Sequence, residues 1–500
     1  MFKVKKLSID ALHDLVVVLN KSDAEELGLV SKDRVEVCVS GTDKCLVCEL
    51  QIFDCDNFCN ITLAKGEAGL FLASFEKLDV SIKDRITLQP APTPLSVKYI
   101  EKKFKGEKLG SLEIEQIIKD ITENRLSEIE ITYFVLAGTS HQFDDDETIA
   151  LTNAMVKVGK KLDFTDAKNS VVVDKHCIGG IPNNRTTMIV VPIIAAAGLK
   201  IPKTSSRSIT SPAGTADTME ALANVNLSLD EMYHVVNEVG GCIVWGGSLA
   251  LSPADDIIIH VERPLNIDSE GQMIASILSK KKSAGSTHVL IDIPVGDTAK
   301  VTSKEHANRL KRRFEKVGTA IGLEIEVIIT DGSAPIGNGV GPVLEARDVL
   351  QILQTPNESS EELRDKALLM AGKLLEMAGV ASYHKGVDMA SEILYSGLAW
   401  KKFEEILNAQ GRKELILAKY KEDISFKNSG TLISIDNKKI SKLAFMLGAP
   451  EISSAGLVLK KTVGDVVKRG DIFCEFHSNS ELKLKYAKEF LLKNLPFELE

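Results

Sequence analysis

No apolar run in this 500-residue chain is long enough to span a bilayer. The longest, Met188 to Leu199, is about a dozen residues and is interrupted by Pro192, whereas a spanning helix needs roughly 20. No membrane partner is expected. Basic blocks are missing as well: 61 lysines and arginines are scattered among 70 acids, for a net charge of −9. That balance argues against a nucleic-acid backbone as partner, while one local pocket can still be positive enough for a small anion. The N-terminus has no apolar segment behind its lysines, because Asp10, His13 and Asp14 interrupt it. No signal peptide is read, and a cytoplasmic location is expected. Cysteine is scarce, with eight residues, too few for a disulfide framework. Five of them, Cys38, Cys45, Cys48, Cys55 and Cys59, fall close together. A zinc site would use Cys45 and Cys48 with Cys55 and Cys59. The segment from Val35 to Phe53 reads as alternating strands, however, where residues three apart face opposite ways. Reduced, half-buried strand thiols and no metal are expected.

What is present reads as an α/β multidomain protein. Residues 1–90 hold short β-like runs, Leu15 to Leu19, Arg34 to Cys38 and Cys45 to Phe53, between Gly, Asp and Ser turns. They make an N-terminal β-rich domain. Pro90, Pro92 and Pro94 then form a stiff connector that fits inside no regular element. From 96 to 166 the period changes to helical, with Ile114, Ile117, Ile118 and Ile121 on one face and Asp144 to Glu147 opening a further helix. This is a helical domain, with a later helical segment near 262–282. From 168 to 424, short apolar runs at Val171–Val173, Gly241–Trp245, His288–Ile293 and Glu324–Thr330 lead into Gly- or Ser-rich loops and helical stretches. Continuous apolar runs indicate parallel strands buried on both faces, so ligand-binding loops belong at their carboxyl ends. Residues 425–500 return to short strands and read as a C-terminal α+β domain that caps the structure.

Two loops in the α/β region carry chemistry. The first is Asp174-Lys175-His176-Cys177-Ile178-Gly179-Gly180, continuing through Asn183, Asn184 and Arg185 to Thr186, where a helix starts. Paired glycines let backbone N–H groups approach an anion, and the helix N-terminus adds partial positive charge. Lys175 and the Thr186 hydroxyl complete a phosphate site. No Gly-Lys-Ser/Thr run makes it a Walker loop. The second is Ser205-Ser206-Arg207-Ser208-Ile209-Thr210-Ser211, followed by Pro212, Ala213, Gly214 and Thr215 ahead of a helix with Asp217 and Glu220 in its first turns. One helix cap needs one hydroxyl. This many hydroxyls with an arginine suit an oxygen-rich ligand, phosphate or ribose.

These two segments resemble the signature segments of the thymidine/pyrimidine-nucleoside phosphorylase family. The resemblance continues through Ser252 to Asp256, Ala275 to Lys281 and Asp292 to Gly296, and covers about residues 95 to 480. The separate N-terminal β domain and the wording of Thr204 to Asp217 are similar to the longer type 2 branch, which includes AMP phosphorylases. The resemblance implies phosphate contacts from Lys175, Cys177, Thr186, Ser205 and Thr215. It implies base or sugar contacts from Gly180, Ser206, Arg207, Ser208, Ile209, Thr210, Ser211, Ser276, Lys280 and Lys300. His176 corresponds to a histidine that assists the leaving pyrimidine, and Asp268 to an aspartate that serves as proton donor in the AMP-cleaving branch. Two positions depart from the pattern: Cys177 stands where serine is common, and Asn183 where the branch often has glycine.

The resemblance implies phosphorolysis, in which held phosphate attacks the anomeric carbon of a nucleoside through an oxocarbenium-like sugar while the base takes a proton. Inorganic phosphate is then a co-substrate and no cofactor is needed. Thymidine or a related pyrimidine nucleoside is the expected substrate, with AMP the alternative. The family implies an active site between the helical and α/β parts, and a homo-oligomer, at least a dimer. A related phosphoribosyltransferase and a non-catalytic nucleotide-binding assembly protein are the other readings.

Overall fold

The computed structural model describes residues 1–11, 14–54, 63–165, 170–208, 211–265, 267 and 269–500, without the side chain of Arg263. It divides into two compact units, Met1–Phe143 with Ile257–Ser269, and Asp144–Asp256 with Glu270–Glu500.

In the first unit, six strands close into a barrel: β1 (Phe2–Lys6), β2 (Val16–Asn20), β3 (Arg34–Val39), β4 (Cys45–Phe53), β5 (Glu67–Leu70) and β6 (Arg85–Pro90), in the order β1-β5-β2-β4-β3-β6. Closure leaves no strand edge unpaired. Alternation along β3 turns Val35, Val37 and Val39 into a core shared with Val17, Leu19, Leu50 and Leu70. Helices α1 (Lys21–Leu27) and α2 (Leu72–Leu78) pack on this barrel. Three further helices follow, α3 (Ser96–Phe104), α4 (Ser111–Thr122) and α5 (Glu128–Ser140). The isoleucines at 114, 117, 118 and 121 form the buried face of α4, as their spacing requires.

The cysteines differ from the expectation of reduced thiols. The β3–β4 hairpin sets Cys38 directly opposite Cys45, with Cα atoms 4.1 Å apart, and the two form a disulfide. That bond also removes Cys45 from any zinc site. Cys48 is a free, buried thiol, and Cys55 and Cys59 lie outside the described residues.

The second unit begins with α6 (Asp145–Val158), whose N-terminus is closed by reciprocal bonds between Asp144 and Glu147. Its parallel strands are β7 (Val173–Cys177), β8 (Ile201–Ser205), β9 (Gly241–Trp245), β10 (His288–Val295) and β11 (Glu324–Asp331). They pair as β11-β10-β7 and β8-β9, and a bridge between Val172 and Lys200 joins the two sets. Helices α7 (Thr186–Ala196), α8 (Thr215–Glu220), α9 (Leu229–Val239), α10 (Pro253–Leu265), α11 (Glu270–Ser283), α12 (Lys304–Ala320), α13 (Pro342–Gln354), α14 (Glu361–Met377), α15 (Gly386–Tyr395) and α16 (Leu398–Ala409) accompany them, and the chain passes between the units within α10. Strand β10 shows why such a run is mostly apolar, with Asp292 the buried exception. Leu290 joins the core built with α7 and α14, whereas Val289, Ile291 and Ile293 join the core built with α11 and α12. A strand covered on both faces has no solvent side to mark with polar residues.

Two boundaries differ from the sequence reading. Strand β7 runs on through Asp174, Lys175, His176 and Cys177, which were expected in the loop, because pairing with β10 from His288 to Asp292 holds them extended. The C-terminal part contains β13 (Tyr420–Ser425), β14 (Gly430–Ile435), β15 (Gly456–Leu459), β16 (Val466–Val467), β17 (Ile472–Ser478) and β18 (Phe497–Leu499), with α17 (Asn437–Leu447) and α18 (Glu481–Lys493). Its four-stranded sheet, β12-β15-β17-β13, takes its edge strand β12 (Gly339–Val340) from inside the α/β sequence.

Candidate active site

The first loop closes on itself through side chains. Strand β7 carries Lys175 into the interior, where it is 1% exposed. Its Nζ donates to Thr186 Oγ1 at 2.6 Å, Thr186 Oγ1 donates to Asn184 Oδ1 at 3.1 Å, and Asn184 Nδ2 donates to Cys177 Sγ at 3.0 Å. Three of the residues expected at phosphate, Lys175, Cys177 and Thr186, therefore share one short circuit at the start of α7. Gly179 and Gly180 both have φ of +93°, and a Cβ on Gly180 would lie 2.8 Å from the backbone nitrogen of Lys300. Only glycine fits there, and the fit brings the backbone of Lys300 against the loop. Asn183 has φ of +56°, a left-handed conformation that glycine and asparagine tolerate best. That conformation accounts physically for the exchange of the two residue types at this position. The Asn183 amide donates to Asp348, which also accepts the N–H groups of Asn338 at 2.8 Å and Gly339 at 2.7 Å.

Arg185 joins this loop to the second. Its guanidinium donates to Glu345 Oε2, to the carbonyls of Asn184 and Ala213, and to Thr215 Oγ1 at 3.3 Å. Because Arg185 and Thr186 are consecutive, Lys175 and Thr215 belong to one network. Thr215 is the first residue of α8, and a Cβ on the preceding Gly214 would lie 2.6 Å from the Ser206 carbonyl, so that turn also requires glycine. Ser208 Oγ donates to the Ser211 carbonyl and Ser211 Oγ to that of Ala213 at 2.9 Å, so both hydroxyls shape the loop itself. Ser205 ends β8 and is half-buried.

Charge is unbalanced here. Lys281 lies 2.7 Å and Lys203 3.9 Å from Asp174, Lys366 lies 3.2 Å from Asp292, and Arg185 is paired with Glu345. With Lys175, five basic side chains, four of them buried and Lys366 nearly so, stand against the three buried carboxylates Asp174, Asp292 and Glu345. Burial and mutual repulsion push the Lys203 ammonium well below its ordinary range and also lower that of Lys175. The same causes, burial first and then Lys281, Lys203, Lys175 and Lys280, hold His176 well below the usual histidine range. His176 is consequently a neutral imidazole at neutral pH, able to donate one hydrogen bond without carrying a charge. Burial and Asp292 push the Cys177 thiol up to about 11, so it carries no thiolate that would repel an anion.

The residues expected at the base or sugar are placed less uniformly. Arg207 is held by Glu220 at 2.5 and 3.0 Å and by Asp217 at 3.2 Å, and lies over the Trp245 ring at 5.0 Å. Lys280 is 2.5 Å from Asp255. Both cations thus have protein partners. Ser276 is half-buried on α11, four residues before Lys280, and Lys300 is exposed. Ile209, Thr210 and Asp268 lie outside the described residues. Sequence reasoning assigned no role to Arg185, Asn184, Lys203, Lys281, Asp292, Glu345 or Lys366. Glu345 and Lys366 are far along the chain from the loops and carry no local motif. Arg185, beside Thr186, was open to notice.

Known proteins carry the same parts in the same order. Residues 97–159 match the family model described as "Glycosyl transferase family, helical bundle domain", residues 169–400 the corresponding "a/b domain", and residues 431–498 the "Pyrimidine nucleoside phosphorylase C-terminal domain". A "putative thymidine phosphorylase" of Polaromonas sp. is 43% identical over 492 residues, 98% of this chain and 94% of that one. The chain belongs to the thymidine/pyrimidine-nucleoside phosphorylase family. A relative of the same name from Legionella pneumophila is also 43% identical, over 98% of this chain and 93% of its own. At lower identity, 19%, the crystal structure of anthranilate phosphoribosyltransferase from Thermus thermophilus aligns with a TM-score of 0.52 over 62% of this chain and 98% of that one, a likeness of fold. The family's helical and α/β models meet between 159 and 169, just before the strand that delivers Lys175.

Proposed function

We propose that the chain cleaves the N-glycosidic bond of thymidine or a related pyrimidine nucleoside with inorganic phosphate, releasing free base and the (deoxy)ribose 1-phosphate. The observation that carries this reading is the buried cation excess around Lys175, gathered where two loops and two helix N-termini meet. A phosphate dianion supplies the missing negative charge, and buried ammonium groups bind it strongly because little water competes. Thr186 and Thr215 add hydroxyls, and the N-terminus of α7 adds partial positive charge.

Held in this way, a phosphate oxygen attacks C1′ of the sugar. The C1′–N bond breaks, its electron pair goes to the base, and the base nitrogen takes up a proton. Neutral His176 contributes a hydrogen bond to the departing base rather than a full positive charge. Asp268 is the candidate proton donor. Ser276, Lys280 and Lys300 are candidates for orienting base and sugar, with Lys280 exchanging its Asp255 partner for substrate. Phosphate is the co-substrate, and no cofactor takes part.

The test incubates purified protein with thymidine, uridine, cytidine, AMP and CMP, each with and without phosphate, and separates free bases by chromatography. Phosphate-dependent thymine release is the expected result. Adenine from AMP with no thymine would move the assignment to a nucleotide phosphorylase. Base consumption requiring magnesium and a pyrophosphorylated sugar would make the chain a phosphoribosyltransferase, and binding without turnover would make it an assembly protein.

A further inference from the structure

Helix α14 places a lysine where its pattern calls for an apolar residue. Leu363, Ala367, Met370, Ala371 and Leu374 form the buried stripe of this helix, and Lys366 sits within it, its side chain 9% exposed. The stripe packs against α7, which the phosphate loop leads into, and against β10. An ammonium buried in such a stripe is costly unless its hydrogens find acceptors. Lys366 has one nearby candidate, Asp292, whose Oδ2 lies 3.2 Å from Nζ. The approach is off the line a hydrogen bond needs, and Nζ has no hydrogen-bond acceptor among the described residues. Asp292 Oδ1 meanwhile accepts from Thr330 Oγ1 at 2.6 Å.

Strand pairing fixes where this unfilled ammonium lies. Asp292 is directly opposite Cys177 in the β10–β7 register, and the Asp292 carbonyl accepts the N–H of Ile178. Asp292 is thus beside the residue that begins the phosphate loop, and Lys366 is beside Asp292. Lys366 is also among the charges acting on both Lys175 and Cys177, so it lies within electrostatic reach of both.

We infer that Lys366 is a second phosphate lysine, donating from α14 to an oxygen of the same phosphate that Lys175 holds from β7. This inference rests on the phosphorylase reading for its ligand. Asp292 then has a definite part: it holds Lys366 in place when the site is empty, and Thr330 keeps the carboxylate turned toward it. With phosphate present, two ammonium groups approach from two different elements, which fixes the nucleophile's orientation as well as its charge.

The experiment measures inorganic phosphate binding to the full chain by titration calorimetry, with no nucleoside present, and steady-state kinetics in parallel. K366M is expected to weaken phosphate binding at least tenfold and to raise KM for phosphate by a similar factor, with KM for the nucleoside little changed. K366R should recover part of the loss. Because K366M leaves the buried Asp292 carboxylate without its countercharge, the decisive variant is D292N/K366M, which removes both charges. If Lys366 touches phosphate, the double variant stays at least tenfold weak. If Lys366 only neutralises Asp292, the double variant regains wild-type phosphate affinity, and the inference is overturned. Unchanged phosphate binding in K366M overturns it as well. Should phosphate bind with this pattern but no nucleoside release a base, the failure belongs to the proposed reaction and not to Lys366.

Discussion

At the scale of single residues, the site is governed by how far burial moves each group from its behaviour in water. Cys177 is the clearest instance. A thiol raised to about 11 stays protonated at pH 8, where an ordinary cysteine near 8.5 is already partly thiolate. It accepts the Asn184 amide but offers phosphate only a weak donor. C177S is therefore expected to keep that contact and tighten phosphate binding about threefold, within the ~0.5–1.5 kcal/mol a net hydrogen bond contributes. Calorimetry with phosphate decides this, and equal or weaker binding would show that position 177 does not face the anion. The sequence marked this loop by its glycines and lysine, all neighbours in the chain. It could not mark Glu345 or Lys366, which reach the same place from helices more than 150 residues later and are ordinary surface residue types until the fold buries them.

At the scale of elements, the β3–β4 hairpin and strand β7 show two ways in which pairing overrides local reading. Alternation in β3 and β4 was legible, because one face of each strand is buried in the barrel. Register was not legible, and register is what sets Cys38 against Cys45. A bond closing a loop this short restricts the unfolded chain by about 2–3 kcal/mol. Reductant is accordingly expected to lower the unfolding temperature of the wild type and to leave that of a C38S/C45S variant unchanged. Equal responses in differential scanning calorimetry would show that the two thiols are not joined. In β7, the polar run Asp174-Lys175-His176 reads as loop. It is a strand because β10 holds its backbone and because Lys281, Lys203 and Thr186 take up its side chains.

At the scale of the whole molecule, the buried charges make stability depend on pH. His176 is held well below 6.5 by burial and four lysines, and burial also lowers His477. The unfolded chain binds these protons more readily than the folded one. Stability from each histidine is therefore full above the unfolded value of about 6.5 and falls as pH drops below it. Buried Glu345 and half-buried Asp348, both raised by desolvation, act in the opposite sense, so the useful comparison is between proteins that share them. H176N is expected to lose less stability than wild type between pH 7.5 and 6.0 in urea titrations. A parallel loss in both would show that His176 takes up its proton freely in the folded state.

The sequence by itself determined the class of each part, because period-two alternation, helical spacing and doubly covered apolar runs are local consequences of what a strand or helix must bury. It also singled out the two loops to which the proposed chemistry is assigned, since glycines and hydroxyls cluster there within a few residues. Only the tertiary structure decided that Arg185 binds the two loops into one network, that the site holds more buried cations than carboxylates, and that Lys366, nearly buried, stands with them. Those are sums over distant segments. A charge becomes costly, and so informative, only when the fold has removed its water.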